Sequence, residues 1–248
     1  MFIPRQIKKE RKIIFISGAG LDAPSGIQTF RGTNGLWNGH DIKTVCDETT
    51  WQKNFFEVHK FYNERREELE SKEPNIAHKT IKKIMDKYGF DNVFNITQNV
   101  TDFFERLETP VLHLHGELTK MECENCNTNW DVGYKSFNPN TDKCSNCGEH
   151  HSVRPKIVFY GGPASMYLYL KRAMDYLNHP ETIVVIIGTQ GNVIDIDRMI
   201  KGTKAVKILA NMEESKDLPE KRYNKIYYES IETSILKIEQ DIAEVWDV

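Results

Sequence analysis

Four of the five cysteines lie in two pairs with the spacing of a metal site. Cys123 and Cys126 form one Cys-x-x-Cys pair, and Cys144 and Cys147 form a second pair after a polar segment. Two such pairs about 15–20 residues apart are typical of a zinc ion held by four thiolates. Because four sulfur ligands leave no open position, we expect one structural zinc ion that takes no part in catalysis. Cys46 stands alone, and we expect it to be an ordinary buried thiol.

The stretch from Ile13 to Gly32 joins a short apolar run to a glycine-rich turn. The apolar, β-branched run predicts a buried strand that delivers its end to a ligand. Gly18, Gly20 and Ala23 match the pattern G-x-G-x-x-G/A, in which missing side chains let backbone N–H groups approach a pyrophosphate. Alone this pattern is weak, because glycine after a buried strand is more often a simple turn residue.

The residues after this turn do not continue into the helix of a plain dinucleotide-binding fold. Pro24 and Gly26 interrupt any such helix, and a loop-like sequence follows through Phe30 and Arg31. An arginine on a glycine-flanked loop suits a phosphate or carboxylate. The succession GAG, SGI and FRG resembles the NAD-binding signature of the sirtuin family, the NAD-dependent protein lysine deacylases.

Composition gives no global argument for nucleic acid or an anionic membrane as a partner, because the formal charge of the 248 residues is −3. No apolar run approaches the roughly 18 residues of a membrane span. The cysteine pairs suit a reducing compartment. We therefore expect a soluble, cytoplasmic monomer that binds neither nucleic acid nor membrane.

Apolar runs rich in β-branched residues alternate with helical patterns along the chain. After the first strand, such runs recur at Asn92–Thr97, Val111–Gly116, Lys156–Gly161, Ile183–Thr189, Ala205–Asn211 and Lys225–Glu229. The helical patterns are Trp51–Ser71, Asn75–Tyr88, Ser165–Leu177 and Ile231–Trp246. This alternation predicts an α/β fold with a doubly wound, Rossmann-like parallel sheet.

Two segments break the alternation and read as insertions into the sheet domain. Residues 33–88 are mainly helical, and residues 120–153 carry the zinc cysteines. We expect both insertions to form one small domain, and residues 1–32, 89–119 and 154–248 to form the NAD-binding domain. Together they would make a single catalytic unit.

The segment Thr97–Leu118 resembles the sirtuin segment in which a TQN turn precedes the catalytic HG pair. A histidine at the carboxyl end of a parallel strand can act as a general base near neutral pH. We assign this role to His115 and give His113, on the same face of the strand, a structural role. The resemblance implies that Asn99 orders the nicotinamide ribose and a water, and that Gln98 holds the ribose hydroxyls near His115.

The resemblance continues through most of the chain. Segment RPKIVFYGG resembles the strand and loop that receive the substrate peptide as an added strand, which implies contacts from Val158, Tyr160 and Gly161. IGTQGNV resembles the phosphate-cradling turn, and the asparagine of ILAN resembles one that contacts the adenosine ribose. The implied cofactor-binding residues are Gly18, Ala19, Gly20, Phe30, Arg31, Gln98, Asn99, Gly188, Thr189 and Asn211.

Tyr62 and Arg65 stand three residues apart on a predicted helix and so project from one face. A phenolic hydroxyl and a guanidinium can together donate to one carboxylate. The pair resembles the Tyr-x-x-Arg with which class III sirtuins bind the distal carboxylate of succinyl- or malonyl-lysine. The alternative is an exposed helix on which the arginines simply pair with Glu64 or Glu68.

The resemblance implies a deacylase that removes acetyl, succinyl or malonyl groups from lysine and releases nicotinamide and O-acyl-ADP-ribose. Four residues depart from the family pattern: Asp22 replaces serine, Thr101 replaces the aspartate that bonds the nicotinamide amide, Gln190 replaces serine and Gly162 replaces glutamate. An NAD hydrolase or ADP-ribosyltransferase on the same scaffold is therefore an alternative. A catalytically weak module that binds NAD or ADP-ribose is another.

Overall fold

The computed structural model of the chain describes residues 10–28, 36–37 and 40–247. Its strands are β1 (Ile13–Ser17), β2 (Leu36–Trp37), β3 (His40–Asp41), β4 (Val93–Thr97), β5 (Leu112–His113), β6 (Gly116–Cys123), β7 (Thr128–Asp131), β8 (Val153–Ile157), β9 (Ile183–Ile187), β10 (Val206–Asn211) and β11 (Lys225–Tyr228). Its α-helices are α1 (Ile42–Val45), α2 (Phe55–Glu70), α3 (Ile76–Tyr88), α4 (Phe103–Arg106), α5 (Tyr167–Ala173), α6 (Ile196–Ile200) and α7 (Ile231–Trp246).

The main sheet has six parallel strands in the order β11-β10-β9-β1-β4-β5. Successive side chains of β1 point to opposite faces, as strand geometry requires. Ile13 and Phe15 pack in the core that contains residues of α3 and α7. Ile14 and Ile16 pack in the core that contains residues of α5 and α6. Helices therefore cover both faces, which confirms the doubly wound α/β fold.

A smaller sheet lies beside α2, and its strand β6 ends at Cys123. It is antiparallel, in the order β7-β6-β8, and it buries Met121 and Ile157 against Phe61 of α2. This core is separate from the two cores of the main sheet. Residues of α2 and of the cysteine segment therefore pack in one core.

The apolar run Lys156–Gly161, expected in the parallel sheet, lies elsewhere. Residues Val153–Ile157 form β8 and pair antiparallel with β6. The physical reason is β6, a strand absent from the pattern of apolar runs. It starts at Gly116, soon after β5, and offers an antiparallel partner. The boundary of the small sheet therefore falls within the range expected for the NAD-binding domain.

The described helices include none that combines the length and the apolar character needed to cross a membrane.

Candidate active site

The turn after β1 packs backbone to backbone against the turn after β9. The Gly18 N–H donates to the carbonyl of Ile187 (2.9 Å), and the Gly20 N–H donates to that of Gly188 (2.8 Å). A Cβ atom on Gly20 would lie only 2.5 Å from the Cα atom of Gly188. Gly18 itself has an extended backbone, with φ −130°. Glycine is required here because the two turns touch, and Ala19 lies between them in a short 3₁₀ turn.

Gln98 and Asn99 connect these turns to the end of β4. The Asn99 Nδ2 atom donates to the carbonyl of Gly18 (3.0 Å), and the Gln98 Nε2 atom donates to Thr189 Oγ1 (3.2 Å). Each amide group therefore braces one glycine turn. The turn after β1, the TQN segment and the loop after Ile187 converge at the carboxyl edge of the sheet, where doubly wound folds bind ligands.

His115 lies at the same edge, just beyond β5. Its Nδ1 atom donates to the carbonyl of Gln98 (3.0 Å), and its Nε2 atom lies 2.8 Å from the hydroxyl of Tyr167. Because a carbonyl oxygen only accepts, Nδ1 carries the proton and the lone pair of the neutral ring is on Nε2. Burial lowers the pKa of His115 from its usual 6.5, against the smaller opposing effect of the Gln98 carbonyl. His115 is therefore a neutral base at pH 7.

Tyr167 is a residue of this site that no motif in the sequence indicates. It begins α5, and its hydroxyl donates to the Nε2 atom of His115. Burial raises the pKa of Tyr167, so the phenol keeps its proton. A contact between residues 52 positions apart has no local sequence signal.

His113 is buried and has both ring nitrogens engaged. Nδ1 lies 2.7 Å from the carbonyl of Asn99, and Nε2 lies 2.8 Å from a carboxylate oxygen of Glu105. Burial lowers the pKa of His113, but the Glu105 carboxylate, the Asn99 carbonyl and Glu117 together outweigh it, and the net shift is upward. These contacts fit the structural role that the sequence analysis gives His113, because they hold the backbone of Asn99.

Asn211 and Thr189 bond to each other reciprocally. The Thr189 N–H donates to Asn211 Oδ1 (3.1 Å), and the Asn211 Nδ2 atom donates to the carbonyl of Thr189 (2.9 Å). Asn211 is buried at the end of β10, so its amide shapes the turn after β9. Its expected contact with a ribose stays a prediction. Phe30 and Arg31 lie outside the described residues.

The four paired cysteines come together at one end of the small sheet. Their sulfur atoms all lie within 4.8 Å of one another, and Cys123–Cys147 and Cys126–Cys144 are each 3.6 Å apart. Zinc–sulfur bonds of about 2.3 Å in a tetrahedron place sulfurs about 3.8 Å apart. The donor set and spacing therefore fit one structural zinc ion.

Tyr62 and Arg65 both lie on α2 but differ in environment. The Tyr62 ring is fully buried and stacks on Phe159, and burial raises its pKa well above 10 beside the thiol of Cys46. The Arg65 Nε atom lies 3.1 Å from Glu68 Oε2, which is the local ion pair of the alternative interpretation. Among the described residues, the buried Nη1 atom of Arg65 has no hydrogen-bond partner.

Arg66, the neighbour of Arg65 on α2, has a structural role. It is fully buried, and its Nε and Nη1 atoms donate to the carbonyls of Lys135 and Leu118. Burial lowers the pKa of Arg66 to about 10, so the group remains charged at neutral pH. Sequence spacing alone does not distinguish it from Arg65.

The segment after β8 has one edge already occupied. Val158 donates to the carbonyl of His115, and Tyr160 both donates to Cys46 and accepts from Glu48. The Gly162 N–H donates to the carbonyl of Phe159 (2.9 Å), and Gly161 has φ +82°, so the extended segment ends in a turn at Tyr160 and Gly161. The expected peptide contacts of Val158, Tyr160 and Gly161 stay predictions.

The departures from the family pattern have defined surroundings. Asp22 is buried and bonds to His78 and Thr101. A Cβ atom on Gly162 would lie 2.8 Å from a carboxylate oxygen of Glu48, so this carboxylate occupies the space next to residue 162. The carbonyl of Gln190 accepts from Ser215 (2.6 Å).

Comparison with known proteins decides the family. A family model described as the Sir2 family matches residues 18–195. The chain belongs to the Sir2 family.

Curated relatives of this Sir2-family chain cover nearly all of it. One from Helicobacter hepaticus, named an NAD-dependent protein deacylase, is 36% identical and is aligned over 94% of this chain and 98% of its own length. Another of the same name, from Campylobacter jejuni, is 37% identical over 94% of this chain and 96% of its own length.

Solved structures of Sir2 proteins share the fold of this Sir2-family chain. A Sir2 homologue described as a mutant complex with ADP-ribose superposes with a TM-score of 0.80 at 26% identity, covering 96% of this chain and 94% of that one. A Sir2 homologue described as an NAD complex gives 0.79 at 26% identity, covering 94% and 90%.

Proposed function

We propose that the chain is an NAD-dependent protein-lysine deacylase. The observation that carries the proposal is His115, a neutral base held by the Gln98 carbonyl at the carboxyl edge of the sheet, where Gln98 also bonds to the turn after β9. Family membership supports it, as do the names of the Helicobacter and Campylobacter relatives. NAD is the co-substrate, and it supplies the ribose that receives the acyl group while nicotinamide leaves.

The two glycine turns are the proposed binding site for the cofactor phosphates. The N–H groups of Gly18, Gly20 and Gly188 already donate to carbonyls of the fold, so these glycines serve the site by letting the two turns pack together, with Ala19 and Thr189 beside them. Phe30, Arg31 and Asn211 remain proposed contacts. The neighbours described with ADP-ribose and NAD support this assignment.

His115 accepts a proton at Nε2 during the reaction. Gln98 keeps the acceptor nitrogen turned toward the site, because its carbonyl holds the Nδ1 proton. Asn99 follows Gln98 in the chain and donates to the carbonyl of Gly18, so it connects the residue that holds His115 to the turn after β1. The hydroxyl of Tyr167 is hydrogen-bonded to Nε2 and must move away before His115 can accept a proton from the substrate.

An acyl-lysine peptide is proposed to add as a strand beside the segment after β8. The main chain of Val158 and Tyr160 already bonds to His115, Cys46 and Glu48, so the peptide would pair with the opposite side of the segment, at Phe159, with Gly161 in the turn that follows. The side chains of Val158 and Tyr160 then flank the peptide. In this proposal the peptide and the cofactor meet between the main sheet and the small domain, so we treat residues 1–248 as one catalytic unit.

Acidic acyl groups are the proposed preference, with Tyr62 and Arg65 as the residues that select them. A buried guanidinium nitrogen without a partner among the described residues costs free energy until an acceptor arrives. The distal carboxylate of succinyl-lysine is such an acceptor. Glu68 contacts the same guanidinium and competes with it.

The test is to incubate the zinc-loaded protein with NAD and an acetyl- or succinyl-lysine peptide, and to measure nicotinamide release and peptide mass. Deacylation predicts that nicotinamide appears only with acyl peptide and matches the peptide deacylated. Nicotinamide release without peptide would instead support the hydrolase or transferase. Binding of NAD with neither product would support the binding module.

A further inference from the structure

Asp22 lies directly after the turn that follows β1 and holds a buried carboxylate. The residue is 2% exposed. Its Oδ1 atom lies 3.1 Å from His78 Nε2, and its Oδ2 atom lies 2.8 Å from Thr101 Oγ1. One side chain therefore joins three elements: the glycine turn, the TQN segment and the first turn of α3.

The contacts of His78 determine the charge of this cluster. The backbone N–H of Asn75 donates to His78 Nδ1 (3.2 Å), so Nδ1 is an acceptor and Nε2 carries the proton. His78 is therefore a neutral donor to Asp22, and the hydroxyl of Thr101 is a second neutral donor. The cluster carries one negative charge.

No cation balances this charge within the described residues. Among them, His78 is the one ion-pair partner of Asp22, and it is neutral in this contact. A buried carboxylate without a counter-charge is costly even when it is hydrogen-bonded. A cationic ligand group close by would therefore be stabilised by it.

The strand order places Asp22 at one end of the site. Thr101 follows β4 and His115 follows β5, the two strands on one side of β1 in the sheet. Asn211 ends β10, which lies on the other side of β1. The end that holds His115 is the end where the nicotinamide bond breaks, if the proposed function holds. The nicotinamide ring of NAD is a cation, and free nicotinamide and ADP-ribose lack that positive charge.

We infer that Asp22 is a specificity residue that stabilises the cationic nicotinamide ring of NAD through its charge. This inference rests on the proposed function. Thr101 and His78 are positioning residues that hold the carboxylate. The family pattern has a serine at position 22 and an aspartate at position 101, whereas this chain has Asp22 and Thr101. The two changes together keep one buried carboxylate at this end of the site.

Calorimetric titration of the full, zinc-loaded chain with NAD and with ADP-ribose tests the inference. Asp22→Asn removes the charge and keeps the shape. We expect it to weaken NAD binding about tenfold and to leave ADP-ribose binding unchanged or tighter, because ADP-ribose carries only the phosphate charges. Thr101→Val is the matched comparison, because it removes one donor that positions the carboxylate and keeps the charge. Its preference for NAD over ADP-ribose should fall by less than that of Asp22→Asn.

Equal losses for both ligands in Asp22→Asn would overturn the inference, because they would show that Asp22 only holds the turn. Unchanged binding of both would also overturn it. If Asp22→Asn does not fold, the double variant Asp22→Ser with Thr101→Asp keeps one carboxylate in the cluster and should keep the preference for NAD. Loss of that preference would contradict the inference. A wild-type chain that binds neither ligand would reject the proposed function, and the inference with it.

Discussion

Gly20 and Gly188 touch through their backbones, so that a methyl group on either would collide with the other. A Cβ atom on Gly188 would lie 2.6 Å from the Gly20 Cα atom and 2.6 Å from the Leu21 nitrogen. This contact joins the turns after β1 and β9, the two turns that we propose to hold the cofactor phosphates.

Gly188→Ala should therefore cost roughly 2–4 kcal/mol of unfolding free energy, from overpacking and from its left-handed φ of +58°. Gly202→Ala is the matched control, because Gly202 has φ +73° but no neighbour within 4 Å of its Cβ position. The control should cost only about 1–2 kcal/mol. Urea denaturation measures both, and equal costs would show that the contact between the turns is unimportant.

The activity should depend on the protonation of His115. Its neutral form is the base, and burial lowers its pKa from 6.5. As the pH falls, kcat/KM should therefore stay high through pH 6.5 and decline only as the pH passes the lowered pKa. A profile of kcat/KM between about pH 5 and pH 8 checks this. A decline centred above pH 6.5 would contradict the assignment.

Replacement of the base itself should remove deacylation and leave the fold intact. His115→Ala should lower kcat by about 10²–10⁴-fold, the usual contribution of a general base. Its zinc content should stay that of the wild type, because the cysteines form a separate cluster. Wild-type rates in this variant would exclude His115 as the base.

Zinc should stabilise the small domain without taking part in the reaction. Cys147→Ser removes one of four ligands, so we expect loss of the bound zinc and a Tm lower by roughly 10 °C, equivalent to about 3 kcal/mol. Cys46→Ser is the control, because Cys46 lies outside the cluster and should leave one zinc ion per chain. Elemental analysis and thermal unfolding measure the two effects. Full zinc in Cys147→Ser would refute the four-thiolate site.

The acyl preference should depend on the guanidinium of α2. Arg65→Met should depress desuccinylation at least about tenfold more than deacetylation, because only the succinyl group has a distal carboxylate. Tyr62→Phe should act in the same direction. Both kcat/KM values are measured on peptides of one sequence, and equal losses on the two peptides would exclude a carboxylate site.

Glu68→Gln is the opposite test of the same site. It removes the carboxylate that lies 3.1 Å from Arg65 Nε and competes for the guanidinium. We expect it to lower KM for the succinyl peptide and to leave KM for the acetyl peptide unchanged. A change on both peptides would show that Glu68 acts through the fold of α2.

Local patterns in the sequence predict the elements that depend on local interactions. The helix Ile231–Trp246 begins and ends as its periodicity predicts, and Asn75 caps α3 with a reciprocal capping box. The zinc cluster is predictable for the same reason, because each Cys-x-x-Cys pair is set by a single turn. The glycine turn after β1 is also evident from a few neighbouring residues.

Contacts between distant residues are what the tertiary structure alone decided. Strand Val153–Ile157 joins β6 and not the parallel sheet, because an apolar run does not specify which strand it pairs with. Tyr167 meets His115 across 52 positions, and Asp22 meets Thr101 across 79. The sequence by itself determined the family, the α/β class and the metal ligands, since these are written in short spacings. Only packing decided which polar groups face one another, because hydrogen-bond partners of buried side chains are selected by the whole fold.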